Sequence, residues 1–195
     1  MIDQPLCTIL AGPNGSGKSS LVRALKPDGV FINADLIARD IAPADPEAAT
    51  LAAGRATLKA LDVAISGRET FVYETTLSSR QSIALMERCR AAGYRIELVF
   101  VMLETVELNL RRIAERVANG GHDIPEVVVR RRHASAFRRI PVALGLADAV
   151  MIFDNSNLEP RLLVTIESGV VKSVNFDDAN SLHRNLANVV LGRAN

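Results

Sequence analysis

The sequence predicts an α/β fold, a parallel sheet with helices on both faces. Three observations carry this reading. Apolar runs of strand length alternate with longer helical patterns from Leu6 to Asp154. A glycine-rich run, Gly12-Pro13-Asn14-Gly15-Ser16-Gly17-Lys18-Ser19, sits between the first apolar run and the first helical one. Runs such as Glu97-Leu98-Val99-Phe100-Val101-Met102-Leu103 are nearly continuous in apolar character, as a strand buried on both faces must be.

The elements follow in order. Strands are expected at Leu6–Ala11, Val30–Asn33, Thr70–Glu74, Arg95–Leu103 and Ala149–Asp154. Helices are expected at Gly17–Leu25, Pro46–Ser66, Ser79–Ala92, Thr105–Asn119, Pro125–Arg138 and Val142–Leu146, with a further helix beginning at Leu36-Ile37-Ala38-Arg39. Two short apolar runs, Leu162–Ile166 and Val170–Val174, flank Glu167-Ser168-Gly169 and read as a hairpin, followed by a helix from about Asn180 to Val190. With 195 residues, no repeats and no long linker, the chain reads as one domain over 1–195. An Arg-rich lid is expected at about 105–139, and the hairpin plus helix at about 161–192.

Composition excludes several classes. The apolar fraction is 48%, the charged fraction 23% and the net charge +1, so no global field points to nucleic acid or to a membrane surface. No basic leader and no membrane-length apolar run is read, so a cytoplasmic protein is expected. Cys7 and Cys89 lie far apart and read as reduced, packed thiols.

The glycine-rich run fits the P-loop pattern G-x-x-x-x-G-K-[ST] at every fixed position, in the strand–loop–helix context that the pattern needs. Glycines let the backbone approach an anion closely, and the loop N–H groups form a nest for phosphate at a helix N-terminus. Gly12, Pro13, Asn14, Gly15, Ser16, Gly17, Lys18, Ser19 and Ser20 are therefore the candidate ATP-binding residues. Lys18 would reach the β- and γ-phosphates, and Ser19 would ligate Mg²⁺.

Ligands of open parallel sheets gather at the carboxyl ends of the strands. Asp35, after the second strand, suits a base on an acceptor hydroxyl and equally an N-cap. Glu74, Thr75 and Thr76, after the third, suit a polar substrate or a Mg²⁺-bound water; a solvent-facing carboxylate is the other reading of Glu74. Asp154-Asn155-Ser156, after the fifth, suits an adenine contact or an Asx turn.

Between Arg111 and Arg139 there are eight arginines against three acids. Planar guanidinium forks suit polyphosphate, so the region reads as a lid over the P-loop. Arg112 and Arg116 share a helix face. Successive members of Arg130-Arg131-Arg132 point about 100° apart, so not all can face one site. Arg111, Arg138 and Arg139 read better as a solvated face. The segment lacks the aromatic interleaving of a nucleic-acid surface. His122, after two glycines, could touch ligand or cap the preceding helix.

Together these pieces resemble the zeta-toxin family of P-loop kinases, in particular its short, compact branch. The matching runs are Ala11–Ser20, Phe31-Ile32-Asn33-Ala34-Asp35, Tyr73-Glu74-Thr75-Thr76-Leu77, Arg116-Val117 with Gly120-Gly121-His122-Asp123-Ile124-Pro125, Arg130-Arg131-Arg132, and Asp154-Asn155-Ser156. The resemblance implies a P-loop NTPase of the nucleotide- and shikimate-kinase type, a three-layer sandwich under an Arg-rich helical lid. It implies ATP and Mg²⁺ as cofactors and transfer of the γ-phosphate to a hydroxyl of a UDP-activated amino sugar. It implies a catalytic set of Lys18, Asp35 as the base, Arg112 or Arg116, and one arginine among Arg130–Arg132, for which Arg131 is named. Asp35, Glu74, Thr75, Thr76 and His122 would bind the acceptor, and an antitoxin would be the protein partner. The chain is shorter than the well-known toxins, so the acceptor stays open. A polynucleotide kinase and a nucleotide-dependent regulatory module are the alternatives.

Overall fold

The computed structural model describes residues 4–46, 48–121 and 123–192. Its centre is a seven-stranded sheet of β1 (Leu6–Ala11), β2 (Val30–Ile32), β3 (Phe71–Thr75), β4 (Arg95–Met102), β5 (Ala149–Asp154), β6 (Arg161–Glu167) and β7 (Val170–Val174). The order is β2-β3-β1-β4-β5-β6-β7. The first five strands run parallel, and β6 and β7 add an antiparallel edge. The helices are α1 (Lys18–Leu25), α2 (Ala34–Ile41), α3 (Thr50–Ser66), α4 (Arg80–Ala91), α5 (Val106–Ala118), α6 (Glu126–Leu146) and α7 (Ser181–Leu191).

Side-chain alternation along the strands sorts the core into two layers. Leu10, Val72, Val99, Val101 and Phe153 meet Leu21 of α1 on one face. Cys7, Ile9, Phe71, Ile96, Leu98, Phe100 and Ile152 meet Leu61 of α3, Met86 of α4, Ile140 of α6 and Leu186 of α7 on the other. This is the expected α/β sandwich, thicker on its second face. Cys7 and Cys89 are both free and buried. The adjacent Cys89 thiol and then burial push the Cys7 thiol up.

Two expectations on helices need correction. Two helices were expected at Pro125–Arg138 and Val142–Leu146, but α6 runs unbroken over Glu126–Leu146 with Pro141 inside it. Proline there forfeits one backbone bond. Burial of Ser135, Ala136, Ile140 and Ala143 on both sides of it holds the helix on the sheet. The long helix expected from Pro46 starts at Thr50. Ahead of it the chain turns, with Ala49 N–H bonded to the Pro46 carbonyl at 3.2 Å and Ala48 N–H to Asp45 Oδ1 at 3.3 Å. The hairpin forms as read, with Ser168 and Gly169 at φ 49° and 75°, the paired positive angles of a tight two-residue turn. Among the described residues, no helix is long and apolar enough to cross a membrane.

Candidate active site

The parallel strands end on one side of the molecule, and the loops there are tied to each other. The P-loop leaves β1 with the Gly12 N–H bonded to the Thr75 carbonyl at 3.2 Å. Gly12, Gly15 and Gly17 all have positive φ and no room for a Cβ, and the first and last are the tightest. Gly12 has φ 151°, and a Cβ there would lie 2.1 Å from the Val101 carbonyl oxygen. Gly17 has φ 90°, and a Cβ there would lie 2.1 Å from Asn155 Nδ2.

Two asparagines from distant elements hold the loop. Asn109 of α5 donates from Nδ2 to the Asn14 carbonyl at 2.7 Å. Asn155, just past β5, donates from Nδ2 to the Ser16 carbonyl at 2.8 Å. Ser16 Oγ and Asn109 Oδ1 are buried beside these bonds and have no hydrogen-bond partner among the described residues, an arrangement that costs about 1–3 kcal/mol per group. Sequence reasoning assigned Asn109 no role. Its signal is a polar residue four positions before Ile113, with both buried on one face of α5.

Lys18 is only 8% exposed. Its Nζ donates to the Gly12 carbonyl at 2.9 Å and the Pro13 carbonyl at 3.2 Å, and lies 3.8 Å from Glu74 Oε1. Burial lowers its pKa; Glu74 and Asp35 oppose the shift, and Arg116 and Arg132 add to it. Of these four charges, Glu74 is the one in contact with the buried amine.

The carboxylates differ in their settings. Glu74 Oε2 accepts from Asn33 Nδ2 at 2.8 Å, so Glu74 is half-buried and held, not the solvent-facing carboxylate of the alternative reading. Asn33 is the N-cap of α2, its Oδ1 accepting from the N–H groups of Asp35 at 2.7 Å and Leu36 at 3.0 Å. Asp35 is therefore not the cap. It occupies the first turn of α2, exposed, and its carboxylate accepts no hydrogen bond among the described residues. The Thr75 hydroxyl is engaged with Ser82 Oγ at 2.9 Å and the Leu77 N–H at 3.2 Å. Thr76 Oγ1 pairs with Ser78 Oγ at 2.7 Å. Leu77 closes this strand end at φ 56°, fully buried, a strained conformation for a branched side chain.

The arginines sort by partner. Arg112 donates from Nη2 to the Asn155 carbonyl at 2.8 Å, beside Gly17. The charge of Arg116 is among those that lower the Lys18 pKa. Arg130 forks between Glu107 at 2.8 Å and Glu126 at 2.7 Å on the surface. Arg132 donates from Nη1 to Asn14 Oδ1 at 3.3 Å. Arg131 is exposed and makes no hydrogen bond among the described residues. The member of the triplet at the P-loop is thus Arg132, where Arg131 was expected; the three positions splay around α6 and one faces the loop. Arg138 and Arg139 turn back on Ser135. Ser19 and Ser20 are exposed on the first turn of α1. His122 lies outside the described residues. Asp154-Asn155-Ser156 forms the Asx turn, Ser156 N–H bonding Asp154 Oδ1 at 2.9 Å, while Asn155 also clamps the P-loop.

The cradle fits ATP: a glycine nest, a buried amine and flanking arginines all point to polyphosphate. The candidate donors for a cation are oxygens, the Ser19 hydroxyl and the Glu74 carboxylate, which suit Mg²⁺.

Comparison with known proteins bears on the family and the fold. The family model described as zeta toxin matches residues 2–160. An uncharacterized protein of Haemophilus influenzae is 39% identical over 124 residues, covering 63% of this chain and 88% of that protein. Among solved structures, AvrRxo1-ORF1:-ORF2 with ATP superposes with a TM-score of 0.67 at 17% identity, over 93% of this chain and 63% of that one. The chain thus spans less than two thirds of that structure. The PezAT chromosomal toxin–antitoxin system of Streptococcus pneumoniae gives a TM-score of 0.57 at 14% identity, over 98% of this chain and 85% of that one. At these identities the structures share the fold.

Proposed function

This chain belongs to the zeta-toxin family, and from that premise we propose that it is an ATP-dependent kinase transferring the γ-phosphate to a hydroxyl of a small molecule, a sugar nucleotide such as UDP-N-acetylglucosamine. One observation carries the reading: buried Lys18 is held within the P-loop by the Gly12 and Pro13 carbonyls, 3.8 Å from Glu74, with Arg132 bonded to the Asn14 side chain of the same loop.

The chemistry follows from these placements. Lys18 would exchange its bonds to the Gly12 and Pro13 carbonyls for the β- and γ-phosphate oxygens. Mg²⁺, when held by Ser19 and through a bound water by Glu74, would neutralise polyphosphate charge. Arg116 and Arg132 would flank the transferring group, and Arg112 would stay with the loop after β5. Asp35 would accept the acceptor proton as the acceptor oxygen bonds to the γ-phosphorus and the bond to the β-phosphate oxygen breaks, leaving ADP. Positioning and electrostatics supply most of the catalysis. Glu74 would hold Lys18 and Asn33 in place, and Thr76 would meet the acceptor. The whole chain would act as one kinase domain in the cytoplasm. An antitoxin-type partner is part of the proposal, supported by the likeness to the PezAT toxin–antitoxin system.

The test is incubation with Mg²⁺, ATP and a bacterial metabolite extract, with Lys18→Ala as control, followed by mass spectrometry. A Lys18-dependent phosphorylated sugar nucleotide is the expected product. A phosphorylated nucleic-acid end would move the acceptor to a polynucleotide. ATP consumption with no phosphorylated product would replace the kinase with a nucleotide-dependent regulatory module.

A further inference from the structure

The nucleotide site is braced by a helix that lies beyond the matched family segment. Asp154, the last residue of β5, is 6% exposed, and His183, on the inner face of α7, is 2% exposed. His183 Nε2 lies 3.0 Å from Asp154 Oδ2. The other ring nitrogen, Nδ1, accepts the Asp177 N–H at 3.1 Å. A nitrogen that accepts a backbone N–H carries no proton, so the ring is neutral with its proton on Nε2, and it donates to Asp154. Asn180 caps α7 by accepting from the Leu182 and His183 N–H groups at 2.9 Å and 3.2 Å, which fixes the turn carrying the ring.

The second carboxylate oxygen of Asp154 faces the nucleotide loops. It accepts the Ser156 N–H at 2.9 Å and the Ser156 hydroxyl. Ser156 Oγ in turn accepts the Glu104 N–H at 2.7 Å, at the entry to α5. Between them lies Asn155, whose amide holds the Ser16 carbonyl and whose carbonyl holds Arg112. One buried carboxylate thus fixes the turn that braces the P-loop, anchors a lid arginine and ties down the start of the lid helix. The bond from His183 sets its orientation.

We propose that His183 is a positioning residue for the nucleotide site, acting through Asp154 on the Asn155–Ser156 turn. The inference rests on the kinase reading for its ATP consequence, while its structural consequence stands in the free protein. Two substitutions separate the ring's two bonds. His183→Gln places an amide N–H near the Nε2 position and keeps the donation to Asp154. His183→Asn places a carbonyl near the Nδ1 position, keeps the bond from Asp177 and loses the donation.

The experiment measures Mg·ATP affinity by calorimetry, amide hydrogen exchange of the free protein at residues 16–19 and 155–156, and Tm, for wild type and both variants. His183→Asn is expected to weaken ATP about 10-fold and to speed exchange at both segments. His183→Gln is expected to stay within about 3-fold of wild type with slow exchange, at a similar Tm. Wild-type ATP affinity and exchange in His183→Asn would overturn the proposal. So would equal losses of affinity in both variants that track Tm, since those mark a role in stability alone. If wild type itself binds no ATP, the kinase reading fails, and exchange alone decides the positioning role: faster exchange in His183→Asn supports it and unchanged exchange overturns it.

Discussion

The two halves of the candidate site are built differently. On the phosphate side, the P-loop is gripped by β3 through the Thr75 carbonyl, by α5 through Asn109 and by the turn after β5 through Asn155. Ser16 is fully buried and Lys18 nearly so. On the proposed acceptor side, Asp35 is exposed, its carboxylate accepts no hydrogen bond among the described residues, and it lies at the start of a two-helix unit in which α2 packs on α3. The proposed nucleotide side is preformed and tied down, whereas the proposed acceptor side is open. This is why the nucleotide chemistry is readable from geometry, while the acceptor belongs to the proposal.

Removing the amine at the centre of the phosphate side should have the largest effect. Lys18→Ala is expected to lower transfer by about 1,000-fold or more, read as product formed per minute, with near-native circular dichroism. Asp35→Asn cuts the other way across the comparison. Transfer should fall by roughly 100- to 10,000-fold while ATP affinity by calorimetry stays at the wild-type value. A parallel loss of ATP binding would show that the two sides are not separable.

Arg132→Ala and Arg131→Ala test which helix position reaches the P-loop. The first should cost about 100-fold in kcat/KM and the second less than about 2-fold. The reverse order would restore Arg131 to the site. Gly17→Ala tests the stiffness itself. The added methyl collides with Asn155 at a positive φ and should lower stability by about 1–3 kcal/mol, seen as a reduced urea midpoint together with weakened ATP binding.

The smallest effect is in pH. Burial lowers the Lys18 pKa in the free protein, and bound phosphates would raise it again. ATP affinity should be independent of Lys18 titration below the lowered pKa and fall as pH rises through it, with one proton taken up on binding there. Folding of the free protein has the opposite slope: the unfolded chain, with an ordinary lysine at 10.5, binds more protons in that window, so stability rises with pH across it. Calorimetry in buffers of different ionisation heat reads the first trend, and urea titration at several alkaline pH values reads the second.

The sequence by itself determined whatever is written in neighbouring residues. The strand, glycine run and lysine from Leu6 to Ser19 specify the phosphate cradle locally, because φ above zero and close backbone approach leave glycine as the fitting residue. β5 and the hairpin turn at Ser168-Gly169 are legible for the same reason, since period and turn chemistry are local. The tertiary structure decided which surfaces meet. Asn109 and Asn14 are 95 positions apart, and Asn155 and Ser16 are 139 apart, so no spacing rule announces these bonds. Helical periodicity places Arg130, Arg131 and Arg132 at successive angles around α6, but only the packing of α6 against α4, α5 and the sheet turns Arg132 to the P-loop. Pro141 reads as a helix break because one missing N–H is a local fact, and the helix passes through it because burial on both sides outweighs that loss. His183 met Asp154 for a reason of the same kind: α7 covers the sheet where β5 ends, and a buried carboxylate there needs a donor that the chain supplies 29 residues later.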